Sequence, residues 1–393
     1  MIGGKSGRVP SNLTLDNWQS AEQLHWTFQH IADFLPVATI SRGAGPVAEL
    51  PATPSALAEL PFFDATHARQ TTVGDVMAAT ATDGWIVVHN GTVLTEQYYA
   101  GMTAASPHLL MSVSKTLVST VLGALEIDVD TPVTAFVPAL STSGYDGATV
   151  RNLLDMRSGI SFSEDYLDPT AEVRLLEQAI GWAPRTVADL PSTMYDYLAT
   201  LRADAPHGGP FRYRSCETDV LGWVCEAAAG ERMPELMSRL LWANLGAEHD
   251  ATIGVDPVGT GMFDGGINAC LADLARFGSL FLNDGVSLTG AQVVPPAWIA
   301  DTLAGGPDSR EAFAASPDDN RMPGGMYRNQ VWFPYPGNHV ALCLGIHGQM
   351  IYINRAVNMV AAKLSSWPLP QDATKFFPTL AAFDTIANSL VQS

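Results

Sequence analysis

The stretch HLLMSVSKTLVSTVLGALE, residues 108–126, carries apolar side chains around nearly its whole circumference. This pattern predicts a helix that is buried on every side. The stretch also contains Lys115, one of only four lysines in 393 residues. A cation surrounded by apolar groups loses its hydration, which favours the neutral amine and lowers the pKa. A lysine is rarely left in such a place without a use, so we expect Lys115 to serve a chemical purpose.

Ser112 precedes Lys115 by three residues, and on a helix that spacing places two side chains on one face. A serine needs an adjacent base to become a nucleophile, and a desolvated amine can act as one. Near the start of a helix, free backbone N–H groups also favour a developing oxyanion. A Ser-x-x-Lys pattern alone occurs by chance in many proteins. The chain has no Gly-x-Ser-x-Gly motif, which argues against an α/β-hydrolase.

Strand patterns lie towards both ends of the chain. WIVVHNGTVLTEQYYAG (85–101) predicts a hairpin around Asn90-Gly91. After a helical middle region, strands return in NQVWFPYP, HVALCLGIHGQMIYINR and VNMVAAKLSSW, and an amphipathic helix ends the chain. We therefore expect an α/β plus all-α fold in which an antiparallel sheet flanked by helices receives an inserted helical domain. The sheet domain would comprise residues 1–111 and 268–393 and the helical domain residues 112–267, with the active site at their junction.

Two further segments contain candidate functional residues. Tyr213 follows a Gly/Pro-rich loop and precedes a helix, so its phenol could pass a proton to a leaving group; an ordinary half-buried tyrosine is the alternative. LGIHGQM (344–350) is a glycine-flanked kink in a strand run, where a backbone often approaches a ligand closely. The N–H of Ile346 could therefore be an oxyanion donor. His347 is expected either to form a polar wall of the site or to make a structural hydrogen bond.

Composition excludes several classes of function. The chain has 40 acidic and 21 basic side chains and a net charge of −19, so we expect no binding to nucleic acid or to anionic membranes. Its cysteines form no CxxC pair, and we expect neither a disulfide framework nor a metal or other cofactor. No signal peptide and no run of 18 apolar residues is visible, which predicts a cytoplasmic protein. These cysteines are Cys216, Cys225, Cys270 and Cys343.

Ser112-Val-Ser-Lys115 resembles the Ser-x-x-Lys signature of serine β-lactamases, penicillin-binding proteins and their esterase relatives. The resemblance continues in order across roughly residues 85–365, through TPVTAFVP, TVRNLLDMRSGI, Tyr213-Arg-Ser with DVLGWVCE, and GGINACLADLARFGSLFLNDG. It implies a β-lactamase-like fold. It also implies that Ser112 is the nucleophile, Lys115 its general base and Tyr213 the proton donor to the leaving group. The oxyanion hole would be the N–H groups of Ser112 and Ile346, and a homodimer is plausible.

LLMSVSK, EDYLDP, LGIHGQ and KLSSWP also resemble those family members that degrade nylon-type amide oligomers. This resemblance implies that Tyr166 lies on a loop that closes over substrate. It further implies that Glu177 and Asp264 hold a cationic end of the substrate. The alternatives are an ordinary surface tyrosine and two solvated acids.

The sequence departs from the β-lactamase pattern at two elements. Tyr213-Arg214-Ser215 lacks the usual asparagine, and the Lys/His-Thr/Ser-Gly element is absent. We therefore expect a serine hydrolase, a carboxylesterase or amidase, that cleaves small esters or linear amides through an acyl-enzyme. Oligomers of the 6-aminohexanoate type are one candidate substrate. The alternatives are a penicillin-interactive β-lactamase or DD-peptidase, and a non-catalytic binding protein that retains the fold.

Overall fold

The computed structural model describes residues 9–391. Lys5 lies outside that range, and so do the first eight residues of the N-terminal segment in which no signal peptide is visible. The strands of the described chain are β1 Val37–Ile40, β2 Pro61–Asp64, β3 Arg69–Thr72, β4 Thr82–His89, β5 Thr92–Tyr98, β6 His108–Leu109, β7 Ala251–Gly254, β8 Ile267–Ala269, β9 Met326–Arg328, β10 Val331–Phe333, β11 Val340–Gly345, β12 Gln349–Asn354 and β13 Met359–Ser365. They form a seven-stranded antiparallel sheet in the order β5-β4-β13-β12-β11-β10-β9 and a four-stranded sheet in the order β1-β7-β8-β6. Strands β2 and β3 pair with each other.

The large sheet buries both of its faces, because successive side chains of a strand point to opposite sides. The helices are α1 Leu24–Thr27, α2 Val73–Ala79, α3 Ser114–Ala124, α4 Val133–Phe136, α5 Val150–Leu154, α6 Glu172–Ala179, α7 Met194–Leu198, α8 Ser215–Ala229, α9 Met233–Leu236, α10 Ala243–Leu245, α11 Leu271–Ser279, α12 Pro296–Ala304, α13 Ser309–Ala314 and α14 Ala373–Val391. From β4, Ile86 packs towards α11, while Trp85 and Val87 pack towards α2 and α14.

The predicted hairpin and buried helix are confirmed. Asn90 and Gly91 both have positive φ, 50° and 75°, and connect β4 to β5 as a type I′ turn requires. Residues 114–123 of α3 are all buried. The helix begins at Ser114 rather than at residue 108, because Met111 adopts a left-handed φ of 47° and turns the chain sharply after β6. Ser112 therefore lies in a short 3₁₀ turn directly before the helix.

One expectation about the fold needs correction. Residues 112–267 are not all helical, because β7 lies within them and β8 begins at their end; these runs are too short to show a strand period in the sequence. The N-terminal segment packs into the core, since Trp18 is 1% exposed and meets Trp182 edge-on with a centroid distance of 5.6 Å. The division into two domains at the boundaries given above stays a prediction.

All four cysteines are buried and free. Within residues 9–391, no helix is long and apolar enough to cross a membrane. No group of three or more His, Cys, Asp or Glu side chains in that range is arranged as a metal site.

Candidate active site

Lys115 and Ser112 are in direct contact at the start of α3, as predicted from their spacing. The Lys115 Nζ donates hydrogen bonds to Ser112 Oγ at 3.0 Å, to Ser215 Oγ at 3.1 Å and to the carbonyl oxygen of Asp264 at 2.7 Å. An ammonium has three N–H donors, so each of them has an acceptor here. α3 and α8 pack together, which brings Ser215, at the first position of α8, against Lys115.

Tyr213 completes this group from the loop before α8. It lies beside Ser112 and Lys115, both of which lower the pKa of its phenol, and the Lys115 Nζ lies 5.2 Å from the centre of its ring. The ring stacks on Trp332 of β10 with a centroid distance of 5.4 Å, which fixes its orientation. Burial raises the pKa of the Tyr213 phenol, and the neighbouring Lys115 cation opposes that rise. Tyr213 is therefore a neutral phenol at neutral pH and has a proton to give.

The pKa of Lys115 is raised, which is opposite to the expectation from its apolar helix. Burial by itself lowers this pKa, but a Tyr213 phenolate, which forms only at alkaline pH, and the carboxylates of Asp264 and Glu164 raise it by more. Lys115 is therefore an ammonium at neutral pH, and the expectation of a neutral amine in the resting protein is wrong. The apolar pattern of α3 did not reveal these carboxylates, because they belong to distant segments.

The end of β11 lies against the backbone that precedes Ser112. A Cβ on Gly345 would come within 2.6 Å of the carbonyl oxygen of Leu110 and 3.1 Å of the Met111 Cβ, so glycine is required there. This close approach places Ile346 and Ser112 on the lining of the same cavity. The arrangement is compatible with the predicted pair of N–H donors for an oxyanion.

His347 does not line that cavity, and its predicted role as a polar wall is wrong. Its left-handed φ of 61° turns the imidazole into the core, where Nδ1 contacts the Trp367 carbonyl at 2.7 Å and the ring meets Phe28 edge-on. Burial lowers the pKa of His347 to about 4, so it is neutral at physiological pH. The alternative expectation, a structural hydrogen bond, is confirmed.

Tyr166 lies on the cavity lining together with Glu164, a residue that the sequence did not single out. The Tyr166 hydroxyl donates a hydrogen bond to Glu164, whose other carboxylate oxygen accepts one from the N–H of Ser215. Burial raises the pKa of Glu164, while the Lys115 charge opposes the rise. Arg174 of α6 donates two hydrogen bonds to the Tyr166 carbonyl oxygen, at 2.9 and 2.7 Å. These contacts hold the loop over the site.

Neither Glu177 nor Asp264 reaches the cavity lining, so their predicted contacts with substrate are not supported. Glu177 is 8% exposed and is neutralised by Arg174, whose Nη1 lies 2.8 Å from one carboxylate oxygen; Gln19 also donates to it at 3.0 Å. Asp264 is 4% exposed and lies behind Lys115, with its Oδ2 3.7 Å from Nζ. The i,i+3 spacing of Arg174 and Glu177 was a visible signal for their pairing.

The cavity has a volume of about 620 Å³. Ser112 and Tyr213 are on its lining, and most of the other lining residues are apolar. Trp332 was not found from sequence, because 119 positions separate it from Tyr213 and no local pattern joins them. The apolar walls include Met322, Trp332, Leu344, Met350, Phe376 and Phe377.

A serine paired with a lysine and a tyrosine, in a fold of antiparallel sheets and helices, defines the class of β-lactamase-fold serine hydrolases. Residues 69–381 match the β-lactamase family, and the chain belongs to that family. It is 40% identical over 368 residues to 6-aminohexanoate-dimer hydrolase of Paenarthrobacter ureafaciens, a match that covers 93% of this chain and 91% of the relative.

Solved structures agree with this assignment. A Bacillus anthracis protein assigned as a 6-aminohexanoate-dimer hydrolase superposes with a TM-score of 0.88 at 25% identity, covering 97% of this chain and 98% of the other. EstCE1, a hydrolase with promiscuous acyltransferase activity, superposes with a TM-score of 0.60 at 16% identity, covering 80% of this chain and 97% of the other. The second match shows the shared fold alone. The expected fold class and hydrolase family are confirmed.

Proposed function

We propose that this protein hydrolyses small linear amides and esters through an acyl-enzyme formed on Ser112. The observation that carries the proposal is the hydrogen bond between the Lys115 Nζ and Ser112 Oγ, at 3.0 Å, with Ser112 and Tyr213 both on the lining of a cavity of about 620 Å³. A nucleophile needs a base within hydrogen-bond reach, and we assign that role to Lys115.

In the proposed reaction, the Lys115–Tyr213 pair first loses one proton to solvent. As Ser112 Oγ bonds to the carbonyl carbon, its own proton moves to the Lys115 amine, directly or through the Tyr213 hydroxyl. The N–H groups of Ser112 and Ile346 hold the oxyanion; one such donor is typically worth about 10²–10³ in rate. Tyr213 then gives a proton to the leaving amine or alcohol as its bond to carbon breaks. Water cleaves the acyl-enzyme by the same proton transfers in reverse order.

Linear amides of the 6-aminohexanoate type are the substrate class that we favour. The support is the name of the relative that is 40% identical over most of both chains, together with the apolar cavity walls, which suit methylene chains. Glu164 lies on the lining and its charge acts on Lys115, so we propose Glu164, in place of Glu177 or Asp264, as the partner of a cationic substrate group. An ester is chemically easier to cleave and should also be accepted.

The test is a substrate panel with wild-type protein and Ser112→Ala. Short-chain p-nitrophenyl esters and 6-aminohexanoate dimer should be cleaved by the wild type, and the variant should lose turnover while its circular dichroism spectrum stays unchanged. Esterase activity retained by Ser112→Ala would contradict the assignment of the nucleophile. Stable acylation by a labelled penicillin, with turnover of nitrocefin or D-alanyl peptides, would favour the penicillin-interactive alternative.

An active-serine probe tests the non-catalytic alternative. A fluorophosphonate should label Ser112, and peptide mass spectrometry would locate the label; no labelling would favour a binding protein that retains the fold. A cytoplasmic location and a homodimer remain proposals of the same kind. Cell fractionation and light scattering of the purified protein test them directly.

A further inference from the structure

Asp264 lies behind Lys115 and contacts it in two ways. Its carbonyl oxygen accepts a hydrogen bond from Nζ at 2.7 Å, and its carboxylate Oδ2 lies 3.7 Å from the same nitrogen. The carboxylate Oδ1 is buried and has no hydrogen-bond partner within residues 9–391. Asp264 does not reach the cavity, so its charge acts on Lys115 rather than on a bound substrate.

The other ionisable groups that act on Lys115 come from three segments. Tyr213 precedes α8, Glu164 belongs to the loop that carries Tyr166, and α8 itself contributes Asp219. Glu217, also on α8, is paired with Arg214, whose Nη1 lies 3.0 Å from its carboxylate.

Asp219 differs from Asp264 in its contacts. Its Oδ1 accepts hydrogen bonds from the N–H groups of Phe263 and Asp264, both at 3.0 Å, while its Oδ2 is buried without a partner in the described chain. Burial, and then the negative charge of Asp264, raise the pKa of Asp219 well above the usual range. Asp219 raises the pKa of Lys115 less than Asp264 does, and it makes no ion pair with the Lys115 Nζ.

We infer that Asp264 is a positioning residue for Lys115: its carboxylate is the counter-ion that holds Lys115 as an ammonium and so sets the pH above which Ser112 becomes reactive. This inference rests on the proposed function. It follows from the geometry, because the three protons of an ammonium match the three acceptors around Nζ, while an amine has a lone pair that must accept from Ser112. Removal of the Asp264 charge should make the amine form available at lower pH.

The test is the pH dependence of kcat/KM for p-nitrophenyl butyrate between pH 5 and 10, corrected for spontaneous hydrolysis. The wild type should show a rising limb at alkaline pH. Asp264→Asn should move the midpoint of that limb down by one pH unit or more, which would raise kcat/KM near pH 7 by about tenfold or more. Asp273→Asn is the matched control, because Asp273 is also a buried aspartate but pairs with Arg276 at 2.7 Å and is not among the groups that raise the pKa of Lys115, so the midpoint should stay where it is.

Three results would overturn the inference. One is a midpoint at the same pH in wild type and Asp264→Asn; another is an equal shift of the midpoint in Asp273→Asn. The third needs no variant: wild-type kcat/KM that is flat from pH 6 to 9 would mean that Lys115 is not held as an ammonium. Asp264→Ser is a second neutral variant for the case in which Asp264→Asn does not fold. Failure of the proposed function is separate, because Ser112 would then not be labelled by a fluorophosphonate in the wild type.

Discussion

At the scale of single residues, the contacts of Ser112 and Lys115 could be predicted because they depend on helix geometry over three positions. The protonation state of Lys115 could not, because it depends on Glu164 and Asp264, which folding brings in from other segments. The predicted substrate contact of Glu177 failed for a related reason. A carboxylate that a neighbouring cation already binds is not free to bind a ligand, and Arg174 binds Glu177.

Tyr213→Phe should separate amide from ester hydrolysis. The Tyr213 phenol lies beside Ser112 and Lys115, so we assign it the proton that reaches the leaving group. An amine leaves poorly without that proton, whereas p-nitrophenolate needs none. We expect a loss of about 10²–10³ in kcat on an amide and a loss about tenfold smaller on a p-nitrophenyl ester. The measurement is steady-state kinetics on both substrates.

Tyr195→Phe is the matched control for this prediction. The Tyr195 hydroxyl donates to Glu226 at 2.6 Å, and Tyr195 is not among the residues that line the active-site cavity. Its removal should leave both rates within a factor of two. Equal losses on amide and ester in Tyr213→Phe would count against a role in protonating the leaving group.

At the scale of elements, alternation of apolar residues predicted the long strands β4, β11, β12 and β13, and the buried pattern predicted α3. Strand β7 has four residues and β8 has three, which are too few positions to show a strand period. The contact between the Tyr166 loop and α6 could not be predicted either, since Arg174 reaches a backbone oxygen and not a side chain.

Arg174→Ala should loosen the loop that carries Tyr166. The substitution removes two charge-assisted hydrogen bonds to the Tyr166 carbonyl and leaves the Glu177 carboxylate without its cation. Each lost bond is worth on the order of 1 kcal/mol. We expect KM to rise roughly tenfold, since 1.4 kcal/mol corresponds to a factor of ten, with a smaller change in kcat. Faster amide hydrogen exchange in residues 163–168 would report the loosened loop.

Arg239→Gln provides the comparison, because it removes an exposed ion pair with Glu231 outside the active-site cavity. That variant should keep the wild-type KM and exchange rates. Unchanged exchange at the loop in Arg174→Ala would show that Arg174 does not hold it.

At the scale of the whole molecule, one buried carboxylate is hydrogen-bonded to three separate segments of the chain. Asp83 on β4 is fully buried. It is hydrogen-bonded to His25 of the N-terminal segment, to His108 of β6 at 3.0 Å, and to Ser366 directly after β13. Both sheets and the N-terminal segment therefore share a single anion, and its ionisation should be linked to the stability of the fold.

The pKa of Asp83 is lowered to about 2 in the folded protein. Burial raises it, but the hydrogen bonds from His108, His25 and Ser366 outweigh that effect. A depressed pKa means that the unfolded chain binds this proton more readily, so the stabilisation is complete above the unfolded value of about 4. It is lost as the pH falls from about 4 to 2. A shift of this size corresponds to about 2 kcal/mol.

Asp83→Asn should therefore lower the free energy of unfolding by about 2 kcal/mol near pH 6 and flatten its decline between pH 4 and 2. Urea unfolding followed by tryptophan fluorescence at a series of pH values measures both effects. Asp16→Asn, at an exposed position, should change neither, because an exposed carboxyl is well solvated in both states. If wild type and Asp83→Asn lose stability in parallel below pH 4, the acid sensitivity of the fold comes from other carboxylates, and the shared anion is not what joins the two sheets to the N-terminal segment.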